Sequence, residues 1–432
     1  MKIAVFGTTL HAGVMAALLA EYGNQIYWCT CVSCEENISV LSYQDQEVNH
    51  YLNKQRKAGF LKESPFSEIP LDIEVYLFCF SPTQIELALK TVEKLSERPI
   101  IHPKLMINGS TFGLHGTEKL KQHLPKDEWV YFPDVIQEGN AINSVLDVKH
   151  VIVGVESRDA SEIMQELLRP FFQFSYQYLF MPILDAEFTK LSISGMLATR
   201  ISYMNDLAMV AEKLGIDIAN VKHGIAADTR IGAAYLSPGV GFGGENFSHD
   251  ILTLSSTVLE TGTKSRLLEQ VWAINEQQKE ILFRKLWNYY HCDLSGKTVA
   301  IWGASFKENT SNIHNSPIHI LLAALWAQGV KVRLHDPQAL DEIASIYGSR
   351  EDLILCSDQY EAAQNAHALC LVTAWKQYWS PDFKRLQQLM KHPLILDGRN
   401  IYDPAYVKAR GFAYEGALLQ IVGGDKLIIP FC

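Results

Sequence analysis

The chain alternates short, continuously apolar segments with helical segments, and this alternation restricts its fold more than any other feature. Apolar segments occur at residues 2–6, 26–29, 75–80, 105–108 and 151–154. Strands that are apolar throughout are typical of a parallel sheet, because crossover helices cover both faces of such a sheet. The N-terminal part of the chain is therefore predicted to be a doubly wound α/β domain with a parallel sheet.

The same alternation starts again after Leu294-Ser-Gly. Apolar segments at residues 298–302, 330–334, 368–372 and 394–396 predict a second α/β domain. At roughly 150 residues per domain, 432 residues leave room for a third region between the two.

A long helix is predicted at residues 186–214 between the two α/β runs. Asp185 would cap its start and Gly215 would end it. At 1.5 Å per residue the helix would be about 40 Å long, which is more than one domain of this size needs. We expect it to join domains or subunits. Its apolar residues follow the helical period: Phe188, Leu191, Leu197, Ile201, Met204, Leu207, Ala211 and Leu214.

The expected fold is thus two Rossmann-like doubly wound domains joined by a central long-helix dimerisation region. The predicted boundaries are 1–182 for the N-terminal domain, 183–292 for the central helical region and 293–432 for the C-terminal domain.

Charge and composition exclude several classes of protein. The chain has 38 Lys and Arg against 48 Asp and Glu, a net charge of -10, which argues against binding nucleic acid. No apolar run reaches the length of a membrane span, and the N-terminus leads directly into a strand instead of a secretory signal. We therefore expect a cytoplasmic protein that does not bind membranes. Cys29, Cys31 and Cys34 lie close together in sequence but lack a fourth ligand at zinc-like spacing, so no metal site is predicted.

The first strand leads into the turn Gly7-Thr-Thr-Leu-His-Ala-Gly13, where a dinucleotide-binding turn would lie. Thr9 replaces the second glycine of the pattern Gly-x-Gly-x-x-Gly/Ala, and its β-branched side chain would obstruct a pyrophosphate. Thr30 stands where an acidic residue would bind the ribose hydroxyls. Two interpretations remain open, a functioning dinucleotide site and a structural remnant of one.

A second motif is the segment 235–250, YLSPGVGFGGENFSHD, which has five glycines or prolines in a short loop. Loops of this kind commonly wrap ligands, because glycine allows close backbone approach. The alternative interpretation is an ordinary surface turn.

Together these motifs and their order resemble the UDP-glucose/GDP-mannose dehydrogenase family, whose members oxidise a nucleotide sugar at C6 to a uronate with two NAD+. The similarity extends over nearly the whole chain. It is carried by Ser110-Thr111, residues 133–139 (PDVIQEG), Ala186-Glu187 with Lys190, residues 231–250, residues 303–317 (GASFKENTSNIHNSP) and residues 397–403 (DGRNIYD).

The resemblance implies NAD in the N-terminal domain, a UDP- or GDP-linked sugar in the C-terminal domain, and a homodimer. In the family, the residue matching Arg230 reaches into the neighbouring subunit's site. The implied catalytic positions are Lys190, Asn246, Asp250, Asp134 and Ser194. The implied cofactor-binding positions are Gly7, Thr8, Thr9, Leu10, Thr30, Ser81, Thr111 and Glu138. The implied substrate-binding positions are Arg230, Tyr235, Gly241, Phe242, Gly243, Lys307 and Arg399.

Several departures from the family pattern fall on catalytic positions. Asn246 matches the cysteine whose thiolate attacks the intermediate aldehyde, and an amide is not a usable nucleophile near neutral pH. Ser194 replaces an asparagine, His249 replaces a lysine, and Asp134 replaces a glutamate. The positions expected to hold the sugar nucleotide are mostly kept.

These departures predict weak or lost NAD binding and at most a two-electron oxidation or reduction of a nucleotide sugar. The alternative is a non-catalytic relative that binds a sugar nucleotide or a partner protein. A third interpretation is lyase-like or epimerase-like chemistry with a tightly held cofactor.

Overall fold

The computed structural model describes residues 1–30, 41–101, 103–171 and 177–416. Cys31 and Cys34, considered above as metal ligands, lie outside these residues. The chain forms two compact units, Met1–Ser194 with Leu252–Thr263, and Gly195–Ile251 with Lys264–Cys432. The three-part division 1–182, 183–292 and 293–432 stays a prediction.

The first unit contains an eight-stranded sheet in the order β3-β2-β1-β4-β5-β6-β7-β8. Its first six strands are parallel to one another. The strands are β1 (Lys2–Phe6), β2 (Gln25–Cys29), β3 (Leu61–Glu63), β4 (Val75–Phe78), β5 (Leu105–Asn108), β6 (Trp129–Tyr131), β7 (His150–Gly154) and β8 (Gln177–Met181).

Helices cover both faces of this sheet, as the apolar strands predict. In β1, Ile3 and Val5 belong to one buried cluster, while Ala4 and Phe6 belong to another. Because successive side chains alternate between faces, both faces of β1 are core. The helices are α1 (Leu10–Glu21), α2 (Gln46–Ala58), α3 (Ile85–Ser96), α4 (Gly116–Lys121), α5 (Ala141–Leu146) and α6 (Arg158–Leu168).

One expectation about this sheet is wrong. The strand at 151–154 was expected in a wholly parallel sheet, but β7 runs antiparallel to β6, with Tyr131 opposite Gly154. β7 is parallel only to β8. The strands β3, β6 and β8 were not predicted: β3 and β6 have three residues each, and no residue of β8 is fully buried.

The long helix α7 (Ile183–Leu214) has 32 residues and a length of about 48 Å. It begins three residues earlier than predicted, because the Pro182 carbonyl already accepts the Ala186 amide at 3.0 Å. Asp185 therefore lies in the first turn and is not the N-cap, which corrects the prediction. Gly215 ends the helix as expected, with a left-handed φ of 70°.

The second unit contains a six-stranded parallel sheet in the order β11-β10-β9-β12-β13-β14. Its strands are β9 (Thr298–Trp302), β10 (Lys331–His335), β11 (Leu353–Leu355), β12 (Ala368–Leu371), β13 (Leu394–Asp397) and β14 (Ala413–Gly416). The remaining helices are α8 (Ile218–Ala227), α9 (Glu245–Glu260), α10 (Leu267–Lys279), α11 (Ile281–Tyr289), α12 (Pro317–Ala327), α13 (Leu340–Tyr347), α14 (Gln359–Ala363), α15 (Phe383–Leu389) and α16 (Pro404–Lys408).

The predicted fold class is confirmed: two Rossmann-like α/β sheets are joined by a long helix. In the described part of the chain, no helix combines enough length and apolar character to cross a bilayer.

Candidate functional site

The predicted cofactor-binding residues of the first unit follow the carboxyl ends of neighbouring parallel strands. Ligands of open α/β sheets bind at this edge. The structure therefore brings together residues that are far apart in sequence. Thr30 follows β2, Gly7 to Leu10 follow β1, Ser81 follows β4, Thr111 follows β5, and Asp134 and Glu138 follow β6.

Gly7 is required by the turn after β1. Its φ is 114°, and a Cβ at this position would lie 2.0 Å from the carbonyl oxygen of Cys79. The Gly7 carbonyl also accepts a hydrogen bond from Trp28 Nε1 at 2.9 Å. The turn is therefore held against the ends of both neighbouring strands.

Thr9 has a role that the sequence pattern did not indicate. It is the N-cap of α1: its hydroxyl accepts from the Ala12 amide at 3.2 Å and donates to the Cys79 carbonyl at 2.9 Å. The hydroxyl thus makes both of these hydrogen bonds within the protein. Thr9 departs from the glycine pattern and at the same time stabilises the turn.

Tyr43 also contacts this turn, and sequence reasoning missed it. Its hydroxyl donates to the Thr9 carbonyl at 2.9 Å and to the Thr8 carbonyl at 3.2 Å. A Cβ on Gly13 would lie 2.4 Å from the Tyr43 ring, so glycine is needed there. The side chain of Asn49 holds the Tyr43 backbone through the amide and the carbonyl. No motif marks Tyr43, because its contact with the turn arises only when the chain has folded.

A small, mostly apolar cavity lies between α1, the segment after β6 and the start of β7. Its volume of about 40 Å³ gives room for a few water molecules. It is therefore too small for a dinucleotide. Its lining includes His11, Met15, Phe132, Pro133, Val145 and Val151.

The catalytic candidates on α7 in the first unit are Lys190 and Ser194, which are four residues apart and share one helix face, as predicted. Ser194 is buried, whereas Lys190 is partly buried. The neighbouring motif residue Glu187 is structural. Its carboxylate accepts from the amides of His115 and Thr117, each at 2.8 Å, and it thereby holds the start of α4. Burial raises the pKa of Glu187, while these donors oppose the shift.

In the second unit, the glycine-rich loop is not a surface turn. Residues 239–244 are all buried, and Gly241 and Gly244 have φ values of 90° and 93°. A Cβ on Gly243 would lie 2.6 Å from the Asn315 carbonyl oxygen and 3.0 Å from Phe306 Cβ. The glycines therefore let the loop pack against the segment 303–317, which belongs to the predicted signature.

Arg399 lies at the junction of three motifs. Its Nε donates to the Val372 carbonyl at 2.6 Å, at the end of β12, and its Nη2 donates to the Phe306 carbonyl at 3.0 Å. A Cβ on Gly239 would lie 3.9 Å from Arg399 Nη1. Lys307 Nζ lies 5.7 Å from the centre of the Phe306 ring. Two of the predicted substrate-binding residues, Arg399 and Lys307, thus lie beside the glycine-rich loop.

Two acidic residues near Arg399, Asp397 and Asp403, have structural roles. The buried Asp397 carboxylate accepts from the Arg399, Ile401 and Tyr402 amides and from the Tyr414 hydroxyl, at 2.8 to 3.1 Å. Burial raises the pKa of Asp397, against the effect of these donors. Asp403 caps α16. These acids shape the loop that presents Arg399.

Asn246, which matches the family's cysteine, lies exposed in the first turn of α9. Asp250, one turn later, is fully buried. His249 is half-buried, and desolvation lowers its pKa below the ordinary value, with the nearby Asp250 and Glu245 opposing this shift. Asn246 is therefore the accessible group among these three.

Arg230 and Tyr235 lie on an exposed part of the second unit. The Arg230 side chain is 87% exposed and pairs with Asp228 at 2.6 Å. Tyr235 is exposed and has a left-handed φ of 59°. Phe242, by contrast, is buried against Phe247 and Trp272.

Sequence reasoning missed the polar residues of α10. Asn275 Oδ1 accepts from the Phe242 amide at 2.7 Å, and its Nδ2 donates to the Phe242 carbonyl at 3.2 Å. Lys279 is almost fully buried and donates to Asn315 Oδ1 at 2.6 Å and to Glu276 at 2.7 Å. Desolvation lowers the pKa of Lys279. The available signal was the polar run Asn-Glu-Gln-Gln-Lys within an amphipathic helix.

Across residues 1–30, 41–101, 103–171 and 177–416, no group of three or more His, Cys, Asp or Glu side chains is placed to hold a metal ion.

Comparisons with known proteins identify related sequences and folds. Residues 184–277 match the model of the UDP-glucose/GDP-mannose dehydrogenase family, central domain, and residues 300–404 match that family's UDP binding domain. The chain is 30% identical over 431 residues to the UDP-glucose 6-dehydrogenase of Rickettsia bellii, with 96% of this chain and 98% of that protein covered.

A second relative is the UDP-glucose 6-dehydrogenase of Pseudomonas aeruginosa, which is 38% identical over 287 residues. That match spans 66% of this chain and 63% of the relative's length. Among solved structures, a UDP-glucose dehydrogenase from Pyrobaculum islandicum matches with a TM-score of 0.85 and 21% identity, covering 97% of this chain and 98% of that chain. This last similarity concerns the fold.

Proposed function

Because this chain belongs to the UDP-glucose/GDP-mannose dehydrogenase family, we propose that it binds a nucleotide sugar and performs at most a two-electron oxidation or reduction of that sugar. The observation that carries this proposal is Asn246, an exposed amide in the first turn of α9 where the family has a nucleophilic cysteine.

The second unit supplies the proposed sugar-nucleotide site. Arg399 and Lys307 provide positive charge beside the buried loop 239–244, which suits a diphosphate. Arg399 is planar and permanently charged, so it can bind phosphate oxygens in a defined orientation. This support is local, since the whole chain carries a net charge of -10.

The first unit is proposed to hold NAD weakly. Its turn fits a dinucleotide in two respects: Gly7 allows the tight turn, and α1 starts directly after it, at the sheet edge where such ligands bind. The residues that would hold the cofactor are Gly7, Thr8, Thr9, Leu10, Thr30, Ser81, Thr111 and Glu138. When bound, NAD accepts or supplies a hydride. Thr30 offers only a neutral hydroxyl to the ribose, and this lowers the affinity for NAD.

The two oxidation steps of the family make different demands on the protein. Oxidation of an alcohol to an aldehyde needs a base and a positioned carbon, and Lys190 with an ordered water would accept the proton. Oxidation of the aldehyde to an acid needs a tetrahedral adduct, which a thiolate normally forms. The Asn246 amide cannot form it, so the reaction stops at the aldehyde level.

The protein is further proposed to be a homodimer. Helix α7 exposes seven large apolar side chains, and five of them fall on one face at the helical period. An exposed apolar face of this kind commonly marks an interface. The exposed Arg230 is available to a neighbouring subunit. The five side chains, called the α7 apolar face below, are Phe188, Met196, Tyr203, Val210 and Leu214.

The deciding experiment follows NADH at 340 nm and products by mass spectrometry with UDP-glucose, UDP-N-acetylglucosamine and GDP-mannose. We expect aldehyde-level product or none, and no uronate. A catalytic yield of uronate would refute the two-electron limit. Calorimetric binding of a nucleotide sugar without NADH formation would instead favour the non-catalytic alternative, and absorbance of a tightly held cofactor in the purified protein would favour the lyase-like or epimerase-like one.

A further inference from the structure

Three side-chain amides from separate parts of the second unit hold the two peptide groups on either side of Gly239 in the glycine-rich loop. Asn205 Oδ1, on α7, accepts from the Gly239 amide at 2.9 Å. Gln278 Nε2, on α10, donates to the Gly239 carbonyl at 2.7 Å. Asn400 Nδ2, beside Arg399, donates to the Pro238 carbonyl at 3.4 Å. Both polar groups of Gly239 are therefore bound by side chains instead of by backbone.

The three amides bind the loop with only part of their hydrogen-bonding capacity. Asn205 is 0% exposed and Gln278 is 1% exposed. Within the described part of the chain, the other polar ends of the three amides, Asn205 Nδ2, Gln278 Oε1 and Asn400 Oδ1, are buried without a hydrogen-bond partner. A buried polar atom without a partner lowers the stability of a fold, and here the bonds to the Gly239 amide and carbonyl oppose that loss.

The held peptide lies against the proposed diphosphate contact. A Cβ on Gly239 would lie 3.1 Å from the Gly398 carbonyl oxygen and 3.9 Å from Arg399 Nη1. A shift of this peptide would therefore change the distance between the loop and the Arg399 guanidinium. The next fixed point is Phe242, whose amide and carbonyl are both bound by Asn275. The loop is thus anchored by side-chain amides at both ends.

We infer that Asn205 and Gln278 are positioning residues of the sugar-nucleotide site, which fix the peptide groups on either side of Gly239 in their ligand-binding conformation before the diphosphate of a nucleotide sugar binds. This inference rests on the proposed function. A loop that is ordered in advance loses less conformational entropy on binding, so the ligand binds more tightly. The stability lost to the three unpaired polar atoms is then the consequence of keeping the loop in place.

The test replaces each amide by an apolar side chain of similar size, in Asn205→Leu and Gln278→Met. Gln338→Met is the matched control, because Gln338 also has a buried Oε1 without a partner in the described residues but lies after β10. Calorimetric titration uses whichever of UDP-glucose, UDP-N-acetylglucosamine and GDP-mannose the wild type binds most tightly. We expect the Kd to rise at least tenfold in both variants, with a less favourable binding entropy, and to change less than twofold in the control.

Hydrogen exchange of the ligand-free protein provides a readout that does not depend on binding. The amides of Gly239 and Phe242 should exchange slowly in the wild type and at least tenfold faster in the two variants, while core strands such as β9 are unchanged. Equal exchange at Gly239 in wild type and variants would overturn the inference. So would nucleotide-sugar Kd values within twofold of the wild type.

The outcomes also separate the inference from the function on which it rests. If the wild type binds none of the three nucleotide sugars but exchange at Gly239 accelerates in the variants, the proposed ligand is wrong, and only the ordering of the loop by the two amides stands. Should Asn205→Leu and Gln278→Met fail to fold, Asn400→Gly serves instead, since glycine tolerates the φ of 53° at this position. That variant removes the longest of the three bonds, and we expect a two- to fivefold rise in Kd. An unchanged Kd in a folded Asn400→Gly protein would count against the inference.

Discussion

The hydroxyl of Thr9 donates a hydrogen bond to the carbonyl of Cys79 at 2.9 Å and so ties the turn after β1 to the end of β4, 70 residues later. The same hydroxyl accepts from the Ala12 amide and caps α1. The residue that breaks the glycine pattern of a dinucleotide turn is therefore also a structural element of that turn. We therefore expect Thr9 both to weaken cofactor binding and to stabilise the turn.

Replacing Thr9 by valine, which has the same shape but no hydroxyl, should lower the stability of the first unit. The loss of an N-cap costs about 0.5–2 kcal/mol. Thr9→Ser keeps the hydroxyl and should stay within about 0.5 kcal/mol of the wild type. Urea unfolding followed by circular dichroism would measure both. Equal stability of Thr9→Val and Thr9→Ser would show that the cap contributes little.

The combined variant Thr9→Gly with Thr30→Asp should bind NADH more tightly than the wild type. A carboxylate at position 30 can make charge-assisted hydrogen bonds to ribose hydroxyls, worth about 1.5–3 kcal/mol, which corresponds to roughly a ten- to hundredfold change in Kd. Glycine at position 9 costs only a few tenths of a kcal/mol as an N-cap.

NADH fluorescence titration would measure this change. Thr263→Asp, at an exposed position, controls for the added charge. If the double variant binds NADH no better than the wild type, Thr9 and Thr30 do not limit NADH binding. The turn then either binds the dinucleotide through other contacts or does not bind it at all.

Asn246→Cys alone should not restore full turnover to a uronate, because Ser194 and the cofactor turn remain altered. The new thiol would lie exposed in the first turn of α9, where the helix N-terminus lowers a thiol pKa. We therefore expect it to react with iodoacetamide faster than the exposed Cys292, while mass spectrometry finds no catalytic yield of acid. Multiple turnovers to uronate would show that the cysteine was the only missing group.

The protein should be a dimer at micromolar concentration. Light scattering should give twice the monomer mass of 48.7 kDa. Introducing charge into the α7 apolar face, with Met196→Asp and Tyr203→Asp together, should shift the mass towards the monomer. Ile346→Asp changes an equally exposed apolar residue on α13 and should leave the mass unaltered. A wild-type mass near 48.7 kDa would contradict the dimer.

The second unit should lose stability as the pH falls below about 6.5, partly through His319. Its Nε2 lies 2.8 Å from the Ile313 carbonyl, so Nε2 carries the proton, and Nδ1 accepts from the Tyr347 hydroxyl at 2.7 Å. Burial lowers the pKa of His319 from 6.5, and the nearby charges of His314 and Lys279 also disfavour its protonation.

The direction of this pH effect follows from the difference between the pKa of His319 in the folded protein and in the unfolded chain. The unfolded chain takes up the proton first as the pH falls, so the free energy of unfolding decreases below the unfolded pKa of 6.5 and levels off below the folded value. His319→Gln should therefore lose less stability than the wild type between pH 7.5 and pH 5. His249, His335 and His367 have pKa values lowered by burial as well, so part of the acid sensitivity should remain. Identical pH profiles for the two proteins would rule out a role for His319.

The sequence by itself determined the fold class and the order of the motifs. Strands such as β1, β5 and β9 are apolar except for one terminal residue, and burial on both faces leaves a local signal that needs no tertiary information. The end of α7 at Gly215 was equally local, because a left-handed residue follows the last turn. The family motifs were readable because they are contiguous.

Only the tertiary structure decided the direction of β7 and the start of α7. The apolar pattern of a strand is the same in either direction, so the pairing of Tyr131 with Gly154 leaves no mark in the sequence. The roles of Thr9, Tyr43, Asn205 and Gln278 were hidden for a related reason. Each depends on hydrogen bonds to residues that are roughly 30 to 70 positions away, and a polar side chain shows its partner only when the chain has folded around it.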